Sequence, residues 1–394
     1  MSTDPLPLLW LTGPTGAGKS SAGWEIFARL GRSGVRAAFL DADQIGLCHP
    51  APEGGTHRLR ARNLAALWPG FRRAGMRCLV LAGFVDTPEE VGEYTALLPG
   101  AAFTVCRLRV PHAVLRERFL GRGWRPDLVE DAVAEAVAQD RSRYADLCVD
   151  TGGRTVAETA RLVLDRLGGW PPAAPGPVSV SPPVPAVPGA WDDGVASGVP
   201  VPLLWFSGAT AAGKSTVGYE VFGRVHRSGV RAAYVDLRQI AALRPSTEEE
   251  GRRLRAHGLA ALWDGYRAAG AGCLVVSGGA DSDETVRACT RLLPGLTPTV
   301  FRLHASPATL LERVLLRGRG GRPGDARRRA AGARPGRAAG RGRTGGAGGR
   351  RPRPGGCGRR APGHRRPPAG RGGRAGHGPP PASVVVAPHI HSTA

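Results

Sequence analysis

Short apolar runs alternate with longer amphipathic stretches through the first 170 residues of this chain. Leu8-Leu9-Trp10-Leu11, Ala37 to Leu40, Cys78 to Ala82, Phe103 to Leu108 and Leu147 to Val149 are the short runs. Their length and lack of polar alternation predict strands buried on both faces. Trp24 to Leu30, His57 to Ala74, Pro111 to Arg122 and Thr155 to Leu167 carry helical spacing, with a further charged helix after Arg122. This alternation predicts an α/β fold in which helices cover both faces of a parallel sheet through right-handed crossovers. The expected strand order is 2-3-1-4-5. A stretch of about 165 residues is ample to bury such a core.

The pattern returns 195 residues later. Arg32-Ser33-Gly34-Val35-Arg36-Ala37-Ala38 reappears as Arg227-Ser228-Gly229-Val230-Arg231-Ala232-Ala233, and Leu64-Ala65-Ala66-Leu67-Trp68 as Leu259-Ala260-Ala261-Leu262-Trp263. The period is a whole domain long, which reads as a tandem duplicate rather than a solenoid. Residues 1–168 form copy one and 201–317 copy two. Between them, 169–200 is rich in Pro, Val and Ala, the composition of an extended spacer.

Charge separates off a fourth region. The net charge of +22 suggests nucleic-acid binding until it is located. From Gly318 to Ala394 there are 18 Arg and one acid, Asp325, whereas residues 1–317 hold 36 basic and 31 acidic residues. Nothing from Gly318 to Ser383 is Val, Ile, Leu or Phe, so this text supplies no strand to match Leu147–Val149. Two readings stay open: a frameshift that truncated copy two, or a disordered Arg/Gly-rich segment that binds RNA without aromatic residues for stacking. Seven cysteines show no C-x-x-C spacing, and Cys78, Cys106 and Cys148 read as small buried thiols on or beside strands. No apolar run approaches membrane-spanning length, and the first strand begins where a leader would stand. A cytoplasmic, reduced protein is expected.

The candidate chemistry sits where lysine does. The chain has only two lysines, and each closes the same motif. One is Gly13-Pro14-Thr15-Gly16-Ala17-Gly18-Lys19-Ser20, the other Gly208-Ala209-Thr210-Ala211-Ala212-Gly213-Lys214-Ser215. In such a phosphate loop, backbone N–H groups wrap the phosphates, a compact ammonium reaches the outer ones, and the serine hydroxyl holds Mg²⁺. A strand precedes each loop and a helix follows it, which adds the helix N-terminus to the anion site. ATP and Mg²⁺ are the expected cofactors. Gly13, Thr15, Gly16, Ala17, Gly18, Lys19, Ser20 and Ser21 are the expected nucleotide contacts of copy one. Gly208, Gly213, Lys214, Ser215 and Thr216 are those of copy two, with Ser20 and Ser215 on the metal.

Guanine-specific GTPases need an N-K-x-D or T-K-x-D element, and no third lysine exists to supply one. Motor and transporter ATPases carry a strand ending in Asp-Glu, which Cys78-Leu79-Val80-Leu81-Ala82-Gly83 does not. With Leu40-Asp41-Ala42-Asp43-Gln44-Ile45, Arg118-Phe119-Leu120-Gly121-Arg122 and Val149-Asp150-Thr151-Gly152, the chain resembles the small-molecule and nucleotide kinases of the P-loop superfamily, such as adenylyl-sulfate kinase, gluconate kinase and adenylate kinase. The resemblance covers nearly all of copy one and about two-thirds of copy two. It implies ATP-dependent phosphoryl transfer, which rests on positioning and on neutralising charge around the transferred group.

Asp41 and Asp43 fall at the carboxyl end of a strand, facing the crevice where open parallel sheets bind ligands. Either acid accepts the acceptor's proton or orients a metal-bound water. The resemblance places Arg118 and Arg122 on a mobile lid, although two arginines four apart also suit a solvated helix face. It places Thr151 and Gly152 by the adenine, through backbone atoms. His57, Arg58, Arg60, Arg62 and Asn63 fall where such kinases bind the acceptor, which suggests a small anionic one. Copy two keeps Asp41 as Asp236, but Asp43 becomes Arg238, Asn63 becomes Gly258, and the base-contacting strand is missing. Catalysis is therefore assigned to copy one. A nucleotide-binding regulator is the rival reading.

Overall fold

A computed structural model describes residues 5–85, 87–121, 126–172, 200–279 and 283–318. The expectations for Arg122, for the linker at 173–199 and for the tail after Gly318 concern residues outside this set. As far as His304 the described residues form one compact unit. Its first half runs β1 (Leu6–Thr12), α1 (Lys19–Arg32), β2 (Ala37–Asp41), a 3-10 turn (Ala42–Ile45), β3 (Cys48–His49), α2 (Gly55–Arg73), β4 (Cys78–Ala82), α3 (Pro88–Leu97) and β5 (Ala101–Arg109). It continues through α4 (His112–Gly121), α5 (Val129–Arg141), β6 (Leu147–Asp150) and α6 (Val156–Arg166). The second half runs β7 (Val201–Gly208), α7 (Lys214–Arg227), β8 (Ala232–Asp236), β9 (Ala242–Arg244), α8 (Glu248–Ala268), β10 (Cys273–Ser277), α9 (Asp283–Thr290) and β11 (Leu296–Leu303). A separate unit begins at Ala305, and its described part is the helix α10 (Pro307–Gly318).

Successive residues of β1 serve different cores, as the period of a strand requires. Leu9 and Leu11 face Ile26 and Phe27 of α1. Leu8 and Trp10 face a second core that includes Leu64, Leu67 and Phe71 of α2 together with Leu203, Trp205 and Tyr266 of the second half. Burying each of these leucines contributes about 2 kcal/mol relative to exposure, which fixes β1 in the middle of its sheet.

The first sheet has the order β6-β5-β1-β4-β2-β9. Within it β1 runs parallel to β4 and β5, β2 to β4, and β5 to β6. The sixth strand belongs to the second half: β9 lies antiparallel on β2, with Ala38 opposite Leu243. The second sheet, β11-β7-β10-β8-β3, is finished the same way by β3 of the first half, with Cys48 opposite Ala233. A five-stranded, purely parallel sheet is therefore corrected to two mixed sheets. β2 and β8 would otherwise be open edges with unpaired backbone groups. Each half covers the other's edge with a short strand taken from matching positions.

Further contacts join the halves. Arg36 donates to Ala74 O at 2.7 Å and to Pro245 O at 3.1 Å, and pairs with Glu250 at 2.8 Å. The helices α2 and α8 cross between the sheets, where Asn63 is fully buried and donates to Ile45 O at 2.6 Å. A Cβ on Gly265 would stand 2.1 Å from Asn63 Oδ1. Asn63, read above as an acceptor-site residue, is a packing residue of this crossing. Gly265→Ala is expected to destabilise the fold by about 2 kcal/mol through overpacking. Adding Asn63→Gly, the residue that the second half carries at 258, should recover part of that loss in chemical denaturation. Additive losses in the double variant would contradict this packing account.

Cys78 and Cys106 are buried, and burial pushes both thiols up to about 12. Cys148 is exposed, contrary to expectation, because β6 is an edge strand and this residue turns outward. Among the described residues no helix is long and apolar enough to cross a membrane.

Candidate functional site

At the carboxyl end of β1, residues 13–18 turn the chain into α1. The turn depends on glycine. Gly13 has φ +133°, and a Cβ there would lie 2.3 Å from Leu108 O of the neighbouring β5. Gly16 and Gly18 have φ of +105° and +94°, a region that side chains rarely tolerate. Gly18 is the N-cap of α1 without a side-chain cap, so the first N–H groups of the helix are left to a ligand. Ala17 is buried, and its N–H donates to Pro14 O at 3.1 Å. Thr15 is half-buried, while Ser20 and Ser21 are exposed at the start of the helix.

Lys19 is buried, and its Nζ donates to Gly13 O at 2.8 Å and Pro14 O at 3.2 Å. The ammonium is thus held inside the loop by the loop's own carbonyls, 6.0 Å from the centre of the Phe84 ring. Ser20 Oγ donates to Asp41 Oδ2 at 2.7 Å, and Asp41 Oδ1 accepts the Asp43 N–H at 3.0 Å. Burial pushes the Asp41 carboxyl above its ordinary range and the neighbouring Asp43 adds to this; the Ser20 hydroxyl, the Asp43 N–H and Lys19 pull it back. Asp43 pairs with Arg60 at 2.9 Å. The Ser20 hydroxyl at the mouth of the loop is a hard oxygen donor of the kind Mg²⁺ takes, alongside water and phosphate oxygens. Among the described residues no cluster of three His, Cys, Asp or Glu side chains stands ready to hold a metal alone.

On the other side of the loop, Arg118 of α4 donates to Thr151 Oγ1 at 3.1 Å and to Thr151 O at 3.0 Å. Thr151 is buried, and its hydroxyl reaches Ala17 O at 3.4 Å. Arg118, Thr151 and the phosphate loop therefore form one connected arch. Gly152 N donates to Asp150 Oδ1 at 2.6 Å, which closes the turn after β6. Asp140 at the end of α5 gathers Arg107, Arg109 and His112 at 3.2, 2.9 and 3.2 Å and so ties α5 to β5 and α4. Sequence reading missed this hub and the side-chain role of Thr151, since neither follows a local pattern.

The basic start of α2 is less open than a free anion site. His57 pairs with Glu90 at 3.2 Å, Arg58 with Glu93 at 3.0 Å, and Arg60 with Asp43. The acids on α3, spaced three apart, were the available signal.

The second loop repeats the first. Gly208 has φ +133° with Leu303 O at 2.3 Å from an ideal Cβ, and Gly213 has φ +104°. Lys214 Nζ donates to Gly208 O and Ala209 O, both at 2.8 Å, and Ser215 Oγ donates to Asp236 Oδ2 at 2.6 Å. Ser215 and Thr216 are exposed on the first turn of α7. The exception is Ala211, at φ +67° where the first half has Gly16. A left-handed alanine costs roughly 1 kcal/mol. Ala211→Gly is expected to recover part of this despite the added chain entropy of glycine, read as a higher denaturation midpoint; an unchanged or lower midpoint would mean that the strain is negligible.

Over 183 residues the chain is 28% identical to the adenylyl-sulfate kinase of Shewanella amazonensis, spanning 42% of this chain and 87% of that protein. The Mycobacterium tuberculosis APS kinase, solved with AMPPNP and APS, superposes with a TM-score of 0.30 at 20% identity, over 42% of this chain and 98% of that one. The shikimate kinase of Acinetobacter baumannii, solved with shikimate, gives a TM-score of 0.30 at 20% identity, over 42% and 95%. No family model matches the chain. The chain has a P-loop kinase-like fold.

Proposed function

We propose that the first half is an ATP- and Mg²⁺-dependent phosphotransferase acting on a small acceptor, and that the two halves are tandem copies of one kinase-like domain. The contact between Ser20 and Asp41 beneath the Lys19 loop carries this reading. It joins the residue suited to the metal with the acid suited to the acceptor hydroxyl. Ser20 would hold Mg²⁺, which would supply positive charge to offset that of the donor phosphates. Lys19 and the loop N–H groups hold the donor, and the ammonium faces charge that grows in the transition state. Asp41, with its raised affinity for protons, accepts the hydroxyl proton of the acceptor. Arg118 holds Thr151 against the loop and keeps α4 over the site. Arg122 of the same segment would add a second guanidinium.

The domain limits proposed are 1–168 and 201–317, with 169–200 as linker and 318–394 as a tail. The likeness to adenylyl-sulfate kinase supports a kinase without identifying the acceptor. The test is turnover: the full chain with ATP and Mg²⁺ is offered nucleotides, adenylyl sulfate and sugar acids, and ADP release is followed. Acceptor-dependent release is the expected result. Tight ATP binding without turnover on any acceptor would favour the second reading, a nucleotide-binding regulator, which Arg238 in the second half supports.

A further inference from the structure

The second loop keeps the lysine, the serine and the following aspartate of the first and reverses a charge beside them. Lys214 and Ser215 stand as Lys19 and Ser20 do, and Asp236 accepts from Ser215 as Asp41 accepts from Ser20. Asp236 also receives the backbone N–H of residue 238 at 3.1 Å, as Asp41 receives that of Asp43. The chain path is thus conserved while the side chain at this position reverses its charge. Asp43 of the first half is neutralised by Arg60, whereas the matching positions of the second half are both arginine, Arg238 and Arg255.

The Arg238 stem lies at the end of β10. A Cβ on Gly278 would stand 3.6 Å from Asp236 Oδ1 and 3.7 Å from Arg238 Cγ. Arg238 is an exposed residue, and its Nε lies 3.9 Å from the same Cβ position. Arg238 therefore lies near the Asp236 carboxylate, and a divalent cation brought to Ser215 and Asp236 meets its positive charge. A guanidinium matches phosphate oxygens well and keeps its charge at every relevant pH.

We propose that the second phosphate loop binds a nucleoside polyphosphate without a divalent cation, with Arg238 supplying beside Ser215 and Asp236 the positive charge that a metal would supply in the first half, and that it transfers nothing. The phosphate contacts come from the loop N–H groups, Lys214 and Arg238. No acid of the Asp43 kind is present to order a metal-bound water. This goes beyond the phosphotransferase reading of the first half and does not depend on its acceptor.

Hydrogen exchange on the full chain with AMPPNP reads the two loops separately. In EDTA, residues 208–216 should gain protection while residues 13–21 gain little; with Mg²⁺ both should. Arg238→Asp, a change on an exposed side chain, should abolish the protection of 208–216 in EDTA and leave the Mg²⁺-dependent protection of 13–21 intact. By calorimetry the second site should weaken less than about threefold on removing Mg²⁺, against tenfold or more for the first. Protection of 208–216 only with Mg²⁺, or none under any condition, would overturn the proposal. Failure of 13–21 to respond would count against the first-half reading alone.

Discussion

Lys19→Ala is expected to reduce acceptor phosphorylation by about a thousandfold, the scale set by losing several kcal/mol of transition-state stabilisation. The buried ammonium is already in place, held by Gly13 O and Pro14 O, so no reorganisation dilutes its effect. Charge spreads over the transferred group as the bond to the leaving oxygen breaks, and the ammonium meets that charge more strongly in the transition state than in the ground state. Lys214→Ala makes the control. Its loop lies in the other half, and the rate should fall no more than about twofold. The exchanged strands make the comparison sharp. β2 ends at Asp41 and pairs edge to edge with β9, which follows Asp236 by a short turn. Steady-state rates for both variants decide the matter. Equal large losses would mean that the two loops act as one catalytic unit and would end the assignment of catalysis to the first half.

Asp41→Asn should lower the turnover rate by about a hundredfold with little change in nucleotide affinity, because a proton acceptor acts only as the reaction proceeds. Its effect on the ligand-free protein runs the other way. Burial and Asp43 raise the Asp41 carboxyl above its unfolded value, so the folded state favours the protonated form. The stability associated with that form is present below the unfolded value near 3.9 and declines as pH rises through the folded one. At neutral pH the ionised carboxylate is therefore a net cost that an amide removes. The amide retains both hydrogen bonds: its oxygen accepts the Asp43 N–H and its nitrogen donates to a rotated Ser20 hydroxyl. Asp41→Asn should raise the melting temperature at pH 7, and the gain should vanish near pH 3. A variant less stable at pH 7 would show that Asp41 is held by its partners more strongly than burial opposes it. Unchanged turnover would remove it from the chemistry.

These expectations could be framed early because the loops are local features. A few residues between a buried strand and a helix, with glycine at every positive-φ position of the first loop and lysine at the turn of the helix, declare themselves in one stretch of chain. Asp41 was legible for the same reason: a strand fixes where its last residue points. Arg118 drew attention only as one of many arginines. Its role depends on Thr151, far along the chain, whose hydroxyl and carbonyl it bridges to the loop.

The sequence by itself determined the alternation of strands and helices, the repeat of that alternation, and the two phosphate loops, since each rests on spacing within a few turns of chain. Only the tertiary structure decided that the edge of each sheet is finished by the other half. A two- or three-residue strand such as Cys48–His49 or Ala242–Arg244 has no periodicity to read, and its pairing is set by whichever unpaired edge lies within reach. Tertiary packing likewise moved Asn63 from an expected binding residue to the crossing of α2 and α8, because the backbone of Gly265 comes close enough there to leave room for nothing larger.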